Sequence, residues 1–179
     1  MDTKDFTLEL KALDETTGVF EGRLAVYNNV DEGGDVIEPG AFTKTLAEGG
    51  GSVPLLWTHD SSQPIGRLEL TDTPTALLAR GRLVLEVPKA REAHALMKAG
   101  VVRGLSIGYK TIKETMSGSV RRLKELRLFE GSLTSLPMNS AALVTAVKQV
   151  PAPDMEALEA FRNAARDIKA FHRRMIDGN

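Results

Sequence analysis

Period-two alternation of apolar and polar residues, in short runs separated by turn-forming residues, most constrains how this chain can fold. Phe6, Leu8, Leu10 and Ala12 alternate with Thr7, Glu9 and Lys11. Phe20, Gly22, Leu24 and Val26 alternate in the same way with Val19, Glu21, Arg23 and Ala25. Residues repeating at every second position line one face of a strand, so both runs predict half-buried strands. The turn-rich "DETTG" between them predicts a hairpin. "LLARGRLVLEV" (77–87) predicts another strand, with Leu83, Leu85 and Val87 on one face and Arg82 and Glu86 on the other. "LKELRLFEGSLTSL" (123–136) predicts one more. Many short strands divided by turns imply a barrel or a sandwich.

Three helices are expected to interrupt this pattern. "EPGAFTKTLAEGGG" has Pro39 near its start and glycines at its end. "PKAREAHALMKAG" is opened by Pro88 and closed by Gly100, with Ala93, Leu96, Met97 and Ala99 available for packing. A third helix follows the Pro-rich "QVPAPD" (149–154), with Leu158, Phe161, Ala165, Ile168, His172 and Met175 at steps of three and four. The domain boundary is therefore expected at that linker. Residues 1–148 form the main domain, and 149–179 form a linker and an amphipathic helix.

Composition narrows function. The 23 basic and 24 acidic residues give a net charge of −1, so no electrostatic case exists for nucleic acid or an anionic membrane as partner. The absence of cysteine removes disulfides, thiolate metal sites and a cysteine nucleophile. "MDTKDFTLEL" lacks the basic and apolar segments of a signal peptide, and no apolar run approaches the ~20 residues that span a bilayer. A soluble, cytoplasmic protein is expected. "DEGGD" (31–35) lacks calcium-loop spacing and reads as a solvated turn, so no metal or cofactor is expected.

Hydrolysis without metal or thiol needs a nucleophile, a base to take its proton and a group to orient that base. "RGLSIGYK" (103–110) sets Ser106 between Gly104 and Gly108 in a strand-like run. Glycines there imply either a bending strand or close approach of another chain to the hydroxyl. Of three histidines, His94 lies mid-helix and His172 in the C-terminal stripe. His59 follows the apolar run "VPLLW" and precedes "DSSQP", at the point where a buried strand enters a loop. Along "LRLFEGSL", Glu130 shares strand parity with Leu126 and Leu128. A carboxylate on an apolar face needs a partner, which an imidazole, or Arg121 or Arg122, could supply, unless the strand is at an edge with that face partly solvated.

"YNNVDEGGDVIEPGAFTKTL", "VPLLWTHDSSQPIGRL", "VVRGLSIGYK" and "LFEGSLTSLPMNSAA", in that order over roughly residues 5–147, resemble the prohead proteases of tailed bacteriophages. These are capsid maturation enzymes similar in fold to herpesvirus assemblin. The resemblance implies an α+β fold, mainly an antiparallel closed β-barrel surrounded by a few helices, with a C-terminal helix added. It also implies a serine endopeptidase with Ser106 as nucleophile, His59 as base and Glu130 as the residue that orients His59. Assemblin relatives use a second histidine as third member, whereas no histidine occurs here between 94 and 172. Gly131 stands where the family block tends to have a valine-like residue, a departure expected to loosen the strand beside Glu130.

On this reading Gly104 and Gly108 clear the way for a substrate strand across Ser106, and backbone N–H groups of "PMNSAA" (137–142) are candidate oxyanion donors. The implied partners are the phage major capsid protein precursor and its scaffolding segment, met inside the assembling prohead in the host cytoplasm, with self-cleavage afterwards. Copies could associate through the barrel helices or the C-terminal helix. Two alternatives stay open: a catalytically silent capsid-assembly or scaffold-binding module on the same fold, and an ester-cleaving serine hydrolase.

Overall fold

Strand alternation builds one curled sheet, and the computed structural model of the chain describes residues 17–147 of it. The strand expected at 6–12, the linker at 149–154 and the C-terminal helix lie outside the described residues. The elements run β1 (Val19–Val26), β2 (Asp35–Ile37), α1 (Thr43–Gly49), β3 (Ser52–Trp57), β4 (Asp60–Asp72) and β5 (Ala76–Leu83). They continue with α2 (Pro88–Lys98), β6 (Gly104–Ser117), β7 (Val120–Thr134) and β8 (Val144–Val147).

The strand order is β2-β7-β3-β4-β5-β1-β8, with β6 paired to β7 as well. The expected closed antiparallel barrel is corrected. β7 pairs in parallel with both β2 and β3, so the sheet is mixed. It is also open: β6 meets the segment before β8 only at an isolated bridge, Gly104 to Leu143, and not along a ladder. The physical reason lies in β7, which is long enough to hold β6 along one edge. Its other edge takes β2 near its start and β3 near its end.

In β1 the alternation holds in the middle, where Phe20, Gly22 and Leu24 are buried and Glu21 and Arg23 are partly exposed. It fails at the ends, where Val19 and Ala25 are buried and Val26 is partly exposed, with a register shift between Arg23 and Ala25. The strand over 77–87 stops at Leu83, and the chain turns at 84–87 to enter α2. Pro88 supplies the first helical turn, where its missing N–H costs nothing. The buried face of α2 is Ala90, Ala93, His94 and Met97, at helical spacing; Ala99, expected inside, is exposed. Leu24, Leu55, Leu68, Leu105 and Leu133 are fully buried in one cluster with Phe20. No helix among the described residues is long and apolar enough to cross a membrane.

Candidate active site

The β3–β4 hairpin turns on two residues, Thr58 and His59, since Trp57 pairs with Asp60. Both have positive φ, 48° and 63°. Two left-handed residues in succession make a type I′ turn, which matches the twist of the flanking strands. Neither is glycine, and a β-branched residue at positive φ is a genuine outlier. Two hydrogen bonds from β7 hold the turn: Thr58 N–H donates to the Leu133 carbonyl at 3.0 Å, and His59 N–H donates to Ser132 Oγ at 3.0 Å. "DSSQP", expected as loop, belongs to β4 but pairs irregularly, Leu56 facing Pro64 and Trp57 facing Asp60. Asp60 fastens this excursion by accepting from Ser62 N–H, Ser62 Oγ and Gln63 Nε2. These hydrogen bonds, the Ser62 hydroxyl first, hold its carboxyl below the ordinary range.

His59 Nδ1 lies 2.6 Å from Glu130 Oε1, and Ser132 Oγ donates to Glu130 Oε2 at 2.8 Å. An ionised carboxylate only accepts, so the proton of this bond sits on Nδ1 and leaves the Nε2 lone pair free to act as a base. The imidazole is 43% exposed and the carboxylate 12%, so the ring can be reached from solvent while its partner is sheltered. Arg121 pairs with Asp35 and Arg122 with Glu38, so neither serves Glu130.

Glu130 does not share the leucine face as parity predicted. The β6–β7 register pairs Gly108 with Glu130 but Tyr109 with Leu128, leaving Phe129 as an extra residue. Such a bulge reverses the alternation, so Leu126 and Leu128 enter the core while Glu130 takes the face of its cross-strand partner Gly108.

Ser106 is paired directly with Ser132. Opposed residues in an antiparallel pair hold their Cβ atoms about 4.5–5.5 Å apart on one face, which brings Ser106 beside the hydroxyl that grips His59 and Glu130. Ser106 is partly exposed, whereas Ser132 is fully buried. Among the described residues no hydrogen bond joins His59 to Ser106. Ser106 borders a cleft of about 110 Å³ whose walls include Leu24, Ile37, Asp35, Tyr109 and Met138. A larger groove of about 270 Å³ between α1, β3 and β7 touches none of the three residues.

The glycines around Ser106 make room for this chain's own groups. A Cβ on Gly108 would fall 2.2 Å from Glu130 Oε1, and one on Gly104 would fall 2.6 Å from the Thr134 carbonyl and 2.7 Å from Pro137 Cδ. Gly131 is not loose: it pairs with Leu55 and Ile107 and is roofed by Leu68, 2.4 Å from where its Cβ would stand. In "PMNSAA" the amides of Ala141 and Ala142 are already bonded to Asn139, which removes them as free oxyanion donors. His94 is buried on α2, and His172 lies outside the described residues. No group of three or more His, Cys, Asp or Glu among the described residues is gathered to hold a metal ion. Ser132 was not singled out from the sequence. Its signal was its place two residues after Glu130, on the same strand face.

The family model of the caudovirus prohead serine proteases matches residues 6–157. The chain belongs to that family. Its relatives include the prohead protease of Enterobacteria phage HK97, 33% identical over 86% of this chain and 70% of that protein. A capsid polyprotein of Pseudomonas phage PAJU2 is 34% identical over 85% of this chain, which corresponds to 23% of the polyprotein. A KSHV protease solved in complex with a hexapeptide phosphonate inhibitor aligns over 71% of this chain and 64% of its own, at 16% identity and a TM-score of 0.49. The prohead protease match spans β1 to β8 and therefore takes in His59, Ser106, Glu130 and Ser132.

Proposed function

We propose that this prohead protease family member is a serine endopeptidase that cleaves the capsid precursor and its scaffolding segment inside the assembling prohead, and then itself. Ser106 Oγ attacks the peptide carbonyl while His59 Nε2 takes its proton. The tetrahedral intermediate collapses to an ester on Ser106, and the departing amine leaves with the proton returned by His59. Water then repeats the sequence and releases the acid. Glu130 keeps the proton on Nδ1 and steadies the imidazolium that forms in each half.

The observation that carries this reading is the 2.6 Å His59–Glu130 contact, set beside Ser106 by the β6–β7 register. Burial favours Ser106 over Ser132 as nucleophile, because the Ser132 proton is already given to Glu130. The capsid precursor as substrate draws on the relatives named as a prohead protease and a capsid polyprotein.

Co-expression with the capsid precursor, read by intact mass, tests it. Ser106→Ala is expected to abolish both precursor cleavage and self-cleavage. Turnover should also decline on acidification, since a protonated imidazole has no lone pair to accept the serine proton. Cleavage that survives Ser106→Ala moves the nucleophile elsewhere. An intact precursor with the unmodified chain favours a silent assembly module.

A further inference from the structure

We propose that Ser132 is a positioning residue that locks His59 and Glu130 into working geometry, an inference that rests on reading those two as base and orienting carboxylate. Among the described residues its hydroxyl is hydrogen-bonded to both. As donor it holds Glu130 Oε2 at 2.8 Å, and as acceptor it takes the His59 main-chain N–H at 3.0 Å. With Oε1 given to Nδ1 of His59, each carboxylate oxygen has a separate partner, so the carboxylate can neither rotate nor drift from the imidazole.

The second bond matters as much. His59 sits at φ 63°, a conformation a non-glycine residue keeps only when its surroundings hold it there. Thr58 N–H to the Leu133 carbonyl and His59 N–H to Ser132 Oγ are the two bonds by which β7 holds the tip of the turn. The first is available to any residue at 133. The second depends on a side-chain oxygen at 132. Ser132 thus ties the backbone that carries the base to the carboxylate that orients it, through one fully buried oxygen.

Alanine at 132 would leave the carboxylate with one partner and the turn amide with none. Cysteine fills nearly the same volume but is a weak donor and a weak acceptor. Threonine keeps the hydroxyl and suits a strand. The test pairs a spectroscopic signature with turnover. Ring-¹⁵N-histidine spectra in the Ser106→Ala background, where self-cleavage cannot intervene, report the Nδ1–H proton of His59, assigned by its loss in His59→Gln.

The proton is expected far downfield in the Ser106→Ala parent, moved upfield or exchanging at least about 10-fold faster with Ser132→Ala or Ser132→Cys, and retained with Ser132→Thr. With Ser106 restored, Ser132→Ala and Ser132→Cys should lower kcat about 10–100-fold with KM little changed, as for other groups that orient a reacting side chain. An unchanged downfield proton in both the alanine and cysteine variants overturns the inference, and the cysteine variant decides if the alanine variant does not fold. No downfield proton in the parent overturns the His59–Glu130 pairing and this inference together. If the unmodified enzyme cleaves nothing, the proposed function fails, while the spectra still decide whether Ser132 holds the pair.

Discussion

Glu130 is a carboxylate held out of water by a missing side chain as much as by hydrogen bonds. Its Oε1 occupies the space where any residue other than glycine at 108 would place a Cβ, 2.2 Å away. Contact that close cannot be tolerated, and the obstacle is the carboxyl group itself, pinned on both oxygens. Gly108→Ala is therefore expected to push the carboxylate off His59. A displacement of that order in a catalytic group costs about 10²-fold in kcat, with about 1–3 kcal/mol of stability lost to overpacking. Gly104→Ala is the contrast, because its Cβ meets the Thr134 carbonyl and the Pro137 ring and not the carboxylate. It should destabilise comparably while leaving the downfield Nδ1–H proton of His59 in place. Cleavage rates and urea unfolding of both variants check this. Equal losses of kcat in the two would show that strand packing, and not the carboxylate, is what Gly108 protects.

At the scale of elements, the site is made by two irregularities, and these decide what could be read from the sequence. Alternation located β1 and β7, an apolar run located β3, and Pro88 and Gly100 at its two ends located α2. The same alternation misplaced Glu130, since the extra Phe129 that flips its face leaves no compositional mark. It also read "DSSQP" as loop, where the true reversal is Thr58–His59, residues with none of the asparagine or glycine that announces a type I′ turn. The sequence singled out His59 by its place after an apolar run, Ser106 by its flanking glycines and Glu130 by a carboxylate in an apolar strand. Nothing singled out Ser132, whose two hydrogen-bond partners are brought to it only by folding.

The β4 excursion carries a prediction of its own. Asp60, its carboxyl lowered mainly by the Ser62 hydroxyl, binds a proton less readily folded than unfolded. Its support is therefore present above the unfolded value of about 3.9 and lost as pH falls through the lower folded one. Protection of the Ser62 amide against exchange should stay constant from pH 8 to 5 and fall only in stronger acid. In Asp60→Ala it should be weaker and lack that acid step. Protection that fell over the same pH range as activity would assign the acid loss to an opening turn and not to His59.

Across the whole molecule, β7 is the strand on which fold and site meet, and its two ends do different work. Near its start it carries β2 in parallel, with the Arg121 guanidinium clamped on the Asp35 carboxylate and Arg122 on Glu38. Near its end it carries β3, and with it the turn that holds His59. The Asp35 side chain is 10% exposed and that of Arg121 is 40%, so the pair is half-screened. Arg121→Ala leaves a nearly buried carboxylate without its counter-charge. A hydrogen bond to a charged group contributes about 1.5–3 kcal/mol, and solvent at the arginine side places the expected loss near the lower end of that range.

The kinetic consequence is distinct from the stability one. Asp35 borders the cleft beside Ser106, so under the proposed function an unpaired carboxylate there is expected to shift KM. The His59–Glu130–Ser132 cluster hangs from the opposite end of β7, so kcat at temperatures below unfolding should hold. Urea unfolding together with peptide kinetics on Arg121→Ala separates the two effects. A kcat that fell with stability would mean that the β2 end of the strand sets the geometry of the base, and that β7 works as one rigid lever and not as two independent attachments.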